Sequence, residues 1–292
     1  MPTIAERQRL LAVNRAAALF YRRELLQAKT KWARSYFTRG GAPGVLDPSS
    51  SWSIGYAPDA RSRLVDSLRS KGFEQASVRN AGLALIDPEG RTIDRFRDLV
   101  MMPARNEQLE TVGFIGVRAD PEPYYVASPA SQVYRRGGAL VGVAEQLDLL
   151  SEGAVPVLVN SPLDALAVER VSRLAVGRWA GIPLCDTLLS VQQAGLLARY
   201  AASDSVIVAI PDSKAGQRAA VAMLDDLNRF FVRVWAVELP PDFMTLERTD
   251  LQFLQDRLLV TRPLGDYRGA ERRRKQTHDD FDLDTPDRGP AL

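Results

Sequence analysis

The chain has 292 residues, a formal net charge of +2 and 46% hydrophobic residues, which is typical of a globular protein with one large or two ordinary domains. Its single cysteine, Cys185, and single histidine, His278, exclude a disulfide scaffold and a zinc site built from cysteine and histidine. The N-terminus is charged, and no apolar run reaches the length of a membrane span. We therefore expect a cytoplasmic protein without zinc and without a membrane partner.

The first half of the sequence predicts helices followed by short strands. Thr3 and Glu6 have the spacing of a capping box, and the apolar pattern behind them predicts a long helix that ends near Tyr36. A second helix is predicted over 59–72. Between 84 and 126 the pattern changes to short strands separated by turn residues.

After residue 153 the sequence alternates strands with helices, which predicts a parallel, doubly wound sheet. The last 28 residues combine a basic cluster and an acidic run with few large apolar groups, so we expect them to be disordered. Strands are predicted at 155–160, 174–176, 205–210 and 232–240, and helices at 162–173, 187–201 and 214–231.

The carboxyl ends of the strands are where open α/β sheets bind their ligands. Asp164 follows the first strand of this half, and Asp212 follows the third. Each acid can be a ligand of Mg²⁺ or a cap of the helix that follows it. Asp164 would form this cap together with Ser161. Lys214 begins the helix after Asp212, where it can bind phosphate or remain solvated.

An ordered set of short motifs runs through residues 14–245, among them the intact IGYAP at 54–58 and DRFR at 94–97. Together they resemble the catalytic core of bacterial DnaG-type DNA primases, including its TOPRIM domain. The resemblance implies an α/β fold, in which a mixed α/β amino-terminal subdomain is followed by a TOPRIM-like parallel sheet flanked by helices. The other matching motifs include FY at 20–21, RG at 39–40, GF at 72–73, AGL at 81–83, MP at 102–103, VGFIGVR at 112–118, SP at 128–129, LVG at 140–142 and KAG at 214–216.

The resemblance also predicts a division of the chain. A primase-core-like amino-terminal α/β subdomain is expected over 1–138 and a TOPRIM-like domain over 139–245. A carboxy-terminal helix is expected over 246–264 and a disordered charged tail over 265–292. In the family a zinc-binding module precedes this region and a helicase-binding region follows it, and we expect the sequence to lack both.

The sequence departs from the family at the residues that hold metal. The family's Glu-Gly pair corresponds to Asn160-Ser161, and the two aspartates of its Asp-x-Asp motif correspond to Pro211 and Ser213. An amide carries no charge to offset Mg²⁺ and cannot act as a base. The resemblance therefore implies a metal site that has lost most of its acids.

Three aspartates remain as candidate metal ligands. Asp164 aligns with a family acid, whereas Asp212 and Asp242 are each displaced by one residue. Such a displacement at a strand end turns a side chain to the opposite face of the sheet. If the protein is active, these three carboxylates would have to hold Mg²⁺ or Mn²⁺.

Basic residues are better preserved in the amino-terminal half. Arginine accounts for 33 of the 38 basic residues, and guanidinium groups suit phosphate contacts. In the family a basic groove on this half follows the template strand, so the resemblance implies DNA contact; the alternative is a solvated, ion-paired face. Tyr124 replaces a family lysine and can stack on a base or pack on the protein. The nucleic-acid-binding candidates are Arg95, Arg97, Arg118, Arg135, Arg136, Tyr124 and Lys214.

Three functions fit these observations. The favoured one is a catalytically degenerate primase-like protein that binds single-stranded DNA and assists DNA replication or mobile-element maintenance. The alternatives are an active primase that makes RNA primers with Mg²⁺, and a protein-interaction module. Candidate protein partners are a replication helicase, a polymerase or a separate zinc-binding subunit.

Overall fold

The computed structural model describes residues 3–27, 31–118, 124–174, 178–185, 188–211, 213–239 and 251–268. Asp212, Asp242, His278 and the region predicted to be disordered beyond residue 268 lie outside these ranges. Within the described part of the chain, none of the helices combines the length and apolarity needed to cross a bilayer.

Two helices open the chain, α1 (Ile4–Gln27) and α2 (Lys31–Arg39). The predicted capping box at the start of α1 is confirmed: the Thr3 amide donates to Glu6 Oε2 at 2.8 Å, and the Glu6 amide donates to Thr3 Oγ1 at 3.2 Å. The buried face of α1 packs on the first sheet, where Tyr21 lies edge-on to Phe114. A 3₁₀ turn at Pro43–Leu46 follows α2.

The first sheet is antiparallel and contains four strands in the order β1-β4-β5-β6. Helices α3 and α4 and a small hairpin, β2-β3, are inserted between β1 and β4. The predicted change to short strands between 84 and 126 is therefore confirmed. The elements are β1 (Gly55–Ala57), α3 (Arg63–Ser70), α4 (Gln75–Asn80), β2 (Ala84–Ile86), β3 (Thr92–Asp94), β4 (Leu99–Arg105), β5 (Thr111–Arg118) and β6 (Tyr124–Ala127).

The second sheet has the order β11-β10-β9-β7-β8, and β7, β8, β9 and β10 are parallel. This is the doubly wound arrangement predicted from the alternating pattern, with the short antiparallel strand β11 added at one edge. The strands are β7 (Val155–Val159), β8 (Trp179–Pro183), β9 (Ser205–Pro211), β10 (Arg233–Leu239) and β11 (Arg262–Pro263). The helices are α5 (Leu147–Ser151), α6 (Pro162–Leu174), α7 (Val191–Tyr200), α8 (Lys214–Ala222), α9 (Leu224–Leu227) and α10 (Leu251–Leu259).

The strand predicted at 174–176 falls mostly outside the described residues, and the next described strand after β7 is β8. Leu174 is the last residue of α6. The segment that forms β8 contains glycine and proline, which are rare in strands, but its residues are all buried. A Cβ at Gly181 would lie 2.5 Å from the backbone of Ala165, so only glycine allows β8 to pack this closely on α6.

Helix boundaries also differ from the predictions, in the first half at α1, α2 and α3 and in the second half as follows. Helix α7 begins at Val191 rather than 187, because Ser190 caps it through a capping box with Gln193. The predicted helix at 214–231 is two short helices, α8 and α9, which meet at Met223. The mixed α/β class followed by a parallel sheet is nevertheless the predicted one.

Candidate functional site

The carboxyl ends of β7 and β9 lie side by side in the centre of the second sheet. Val157 pairs with Ile207 and Leu158 with Val208, so both chains leave the sheet at the same edge. The strand order reverses between these two strands, which makes this edge the topological switch point where open sheets bind ligands. Two of the three predicted metal ligands, Asp164 and Asp212, follow these strands in the sequence.

Asp164 is fully buried in the first turn of α6 and forms a reciprocal cap with Ser161. The Ser161 amide donates to Asp164 Oδ2 at 2.9 Å, and the Asp164 amide donates to Ser161 Oγ at 3.2 Å. These are the hydrogen bonds of the capping interpretation. The second carboxylate oxygen, Oδ1, is buried without a hydrogen-bond partner among the described residues.

Burial controls the protonation of Asp164. Removal of the carboxylate from water raises its pKa to about 7, and the hydrogen bonds from Ser161 oppose this rise only in part. Tyr36, on α2, lies close enough to interact electrostatically with Asp164, and burial is the main reason that the pKa of Tyr36 is also raised. Helix α2 therefore lies beside the carboxyl end of β7, and Gly40 packs against Leu163 there.

Three described residues, Asn160, Pro211 and Ser213, were predicted to stand at family metal positions, and none of them is acidic. Asn160 is exposed directly after β7, and its carbonyl accepts from the Cys185 amide at 2.9 Å. Pro211 is the exposed last residue of β9. Ser213, rather than Asp212, caps α8 by accepting from the Gly216 amide at 3.0 Å. Lys214 is exposed at the first position of α8.

Of the three predicted metal ligands, the structure describes Asp164 alone, and one of its carboxylate oxygens already caps a helix. Mg²⁺ prefers charged oxygen ligands, and a two-metal centre needs more of them than this one carboxylate. No group of three or more His, Cys, Asp or Glu side chains placed to hold an ion occurs among the described residues, which do not include Asp212 or Asp242.

A group of polar side chains that includes the candidate Arg118 meets at one end of the first sheet. The Asp98 carboxylate accepts from Trp32 Nε1 at 2.6 Å, from the Tyr56 hydroxyl at 2.8 Å and from Arg118 Nη2 at 3.3 Å. Asp98 has a positive φ of 53° and directly precedes β4. The sequence carries one signal for this role of Asp98, its position directly after DRFR. Asp98 therefore connects α2, β1 and β5.

Exposed candidates surround Asp98. Tyr124 is 59% exposed and pairs across the sheet with Arg118, which places an aromatic ring beside a guanidinium. Arg95 and Arg97 are exposed in the turn before β4. Within the ranges that the structure covers, the Arg95 guanidinium forms no ion pair, whereas Arg118 is paired with Asp98.

Asp94, the first residue of DRFR, has a structural role. Its carboxylate is buried and accepts from the Leu64 amide at 2.8 Å and the Val65 amide at 2.9 Å, in the first turn of α3. Burial raises its pKa to about 6 against the effect of these two hydrogen bonds. Arg97 contributes a small electrostatic effect in the opposite direction, so it lies near Asp94.

Arg135 and Arg136 are not part of this group. They are exposed at the 3₁₀ turn Arg136–Gly138, next to Tyr134, whose ring covers Gly113 near the start of β5. Arg118 ends the same strand five residues later, or about 17 Å away along the strand. The predicted arginines therefore occupy two ends of one sheet rather than a single cluster.

The two halves of the protein are joined by buried polar contacts. Arg105, at the end of β4, pairs with the buried Glu145 at 3.2 Å, and its backbone pairs with Leu140. The next residue, Gln146, hydrogen-bonds through its side-chain amide to both backbone groups of Gly181 in β8. The segment from 139 to 146 therefore contacts both sheets.

Comparisons with known proteins agree with this architecture. Residues 20–147 match the family model of the DNA primase catalytic core, N-terminal domain. The chain is 32% identical to the DNA primase of Deinococcus radiodurans over 200 residues, which are 68% of this chain and 34% of the relative. It is 30% identical to the DNA primase of Geobacillus stearothermophilus over 239 residues, or 78% of this chain and 38% of the relative. The chain thus spans about a third of the length of the curated relatives it matches.

Two solved structures have a similar fold. The RNA polymerase domain of Mycobacterium tuberculosis primase DnaG matches with a TM-score of 0.72 and 24% identity, over 89% of this chain and 85% of that one. A DnaG primase catalytic domain bound to single-stranded DNA matches with a TM-score of 0.72 and 23% identity, over 91% of this chain and 85% of that one. The chain therefore resembles the catalytic core of bacterial DnaG-type DNA primases and shares its mixed α/β fold.

Proposed function

We propose that this protein is a DnaG-primase-like binder of single-stranded DNA whose TOPRIM-like metal site is degenerate. It acts as an accessory in DNA replication or in the maintenance of a mobile element. The observation that carries the proposal is the reciprocal cap between Asp164 and Ser161. In this cap one carboxylate oxygen of Asp164, the acid that aligns with a family acid, already accepts a hydrogen bond from the protein. In addition, Asn160 stands where the family has a glutamate, so a neutral amide replaces a carboxylate.

The DNA-binding half of the proposal rests on the exposed guanidinium groups. Arg95, Arg135 and Arg136 form no ion pairs within the described portion of the chain and so are available for phosphate. Tyr124 is exposed at one end of the first sheet, where an unpaired base can stack on its ring. The fold similarity to a primase domain bound to single-stranded DNA supports this assignment.

A metal-binding measurement and a primer-synthesis assay test whether the metal site has lost its function. Calorimetric titration of the purified chain with Mg²⁺ and Mn²⁺ is expected to show no binding in the micromolar range. A template-directed ribonucleotide-incorporation assay is expected to give no product. Metal binding that disappears in Asp164→Ala, together with primer synthesis by the unaltered chain, would contradict the proposal.

Salt dependence tests DNA binding. Affinity for an oligo-dT strand should fall steeply with salt, and Arg95→Ala with Arg97→Ala should reduce the log–log slope by ~0.7 for each phosphate that is no longer neutralised. The matched control is Arg91→Ala, an exposed arginine on the β2-β3 hairpin that is paired with Glu89. Affinity without salt dependence would favour the alternative of a protein-interaction module.

A restored variant tests the TOPRIM-like arrangement itself. Asn160→Glu combined with Pro211→Asp and Ser213→Asp returns acids to the family's metal positions at the ends of β7 and β9. We expect this variant to bind Mg²⁺ where the unaltered chain does not. If the folded variant also fails to bind, these two strand ends do not have the geometry of a TOPRIM site.

An active primase is the second candidate. The observation that favours it is that Asp164 Oδ1 is buried and has no hydrogen-bond partner in the described ranges. This oxygen can therefore coordinate a cation. Such a site would need Mg²⁺ or Mn²⁺ held by Asp164 with Asp212 and Asp242. The incorporation assay separates this candidate from the first.

A further inference from the structure

A cleft of 690 Å³ opens at Gly138, the end of the 3₁₀ turn that follows Arg135, and its lining includes no residue of the strand ends described above. It lies between the turn that joins β4 to β5, the 3₁₀ turn at Gly138, and helix α7. Its walls include Glu107, Gln192, Arg199 and Phe230. None of these four residues belongs to the motifs that carry the resemblance to primases.

The walls combine an aromatic face with polar groups. Phe230 is 43% exposed and lies across α7, because Gly195 has no side chain; a Cβ there would lie 3.0 Å from the ring. Gln192 is exposed near Gly138 and has both a donor and an acceptor. Arg199 is separated by 3.9 Å from Glu107, which is the acidic residue in the cleft wall.

The rim that carries the arginines is firmly attached to this cleft. The Gln193 side chain, buried in α7, donates to the carbonyls of Arg136 at 3.0 Å and Ala139 at 2.7 Å. The Ser190 hydroxyl donates to the Gly137 carbonyl at 2.6 Å. The backbone of Arg136 is therefore held against α7, the helix that Phe230 packs on at Gly195.

We infer that this cleft binds one unpaired base of a single DNA strand, by stacking on Phe230 and hydrogen bonding to Gln192. Arg135 and Arg136 would contact the adjoining phosphates. Stacking on an exposed aromatic ring beside basic groups is the usual way in which a protein holds single-stranded nucleic acid without reading its sequence. This inference rests on the proposed function and extends the DNA path from the first sheet onto α7.

The test compares how DNA strands that lack single bases bind to the unaltered chain and to variants of Phe230. Anisotropy measurements at low salt would compare oligo-dT with strands that carry one abasic site at successive positions. We expect Phe230→Leu to weaken binding of intact oligo-dT about 10-fold, within the range found for a single stacked base. Phe230→Trp should retain affinity. In the unaltered chain one abasic position should cause a comparable loss, and Phe230→Leu should be insensitive to that position.

The controls separate the possible failures. Ile86→Ala removes another exposed apolar side chain, 57% exposed on the β2-β3 hairpin, and should leave the affinity unchanged. Thermal unfolding of each variant shows whether it folds. If the unaltered chain binds DNA but Phe230→Leu binds it equally well, the base-binding cleft is overturned while the proposed function stands. If the unaltered chain does not bind single-stranded DNA, both are overturned.

Discussion

At the scale of single residues, Asp164 is a buried acid whose protonation is linked to folding. Its folded pKa of about 7 lies above the unfolded value, so the folded state holds the proton more tightly. This contribution to stability is complete below pH 4 and is lost as the pH rises through about 7. The total loss is on the order of 4 kcal/mol.

Asp164→Asn should therefore be more stable relative to the unaltered chain at pH 8 than at pH 5. The amide keeps an oxygen that can accept from the Ser161 backbone but does not ionise. Urea unfolding at both pH values measures the difference. The raised pKa of Asp94 also makes stability fall as the pH rises, over a lower pH range. This effect is present in both proteins, so it cancels when they are compared. Equal pH dependence of the two proteins would show that Asp164 is not the linked group.

Asp98 is the second informative residue. Asp98→Ala removes the acceptor shared by Trp32, Tyr56 and Arg118 and leaves alanine with a positive φ. We expect a loss of about 2–4 kcal/mol in the free energy of unfolding, because both effects destabilise the fold. Asp98→Asn should cost less, since asparagine tolerates this backbone conformation and keeps an acceptor. Chemical unfolding of the two variants checks the order, and equal losses would contradict it.

At the scale of secondary-structure elements, β8 depends on a side chain from outside the sheet. Gln146 satisfies the amide and the carbonyl of Gly181, which is buried. Gln146→Ala should therefore reduce the free energy of unfolding by about 2–4 kcal/mol, because two buried backbone groups lose their partners. Gln192→Ala on the exposed side of α7 is the control and should change it by less than ~0.5 kcal/mol. A similar effect of the two variants would rule out this role of Gln146.

At the scale of the whole molecule, the buried pair Arg105–Glu145 joins the first sheet to the segment that leads into the second. The side chain of Glu145 is 2% exposed and that of Arg105 is 19% exposed. Glu145→Gln leaves the guanidinium with less compensation, so we expect a loss of about 3 kcal/mol in the free energy of unfolding. Glu107→Gln, at an exposed pair, should cost less than ~0.5 kcal/mol. Urea unfolding of both variants would measure this contrast.

The sequence alone predicted the class of fold because its signals are local. The alternation of short apolar runs with amphipathic segments predicts the parallel sheet, and the capping-box spacing predicts the start of α1. The sequence did not predict β8. The composition of this segment disfavours a strand, but complete burial and the close approach of Gly181 to α6 compensate for it. Local propensity contains no information on such long-range packing.

The candidate site divides in the same way. The sequence by itself determined which residue types stand at the strand ends, and so that Asn160, Pro211 and Ser213 carry no charge there. The two interpretations of Asp164 could not be separated until the structure showed its hydrogen bonds to Ser161. Only the tertiary structure placed Trp32, Tyr56 and Arg118 around Asp98 and separated Arg118 from Arg135 and Arg136. Their relative positions depend on how strands distant in sequence pair, which spacing along one chain does not determine.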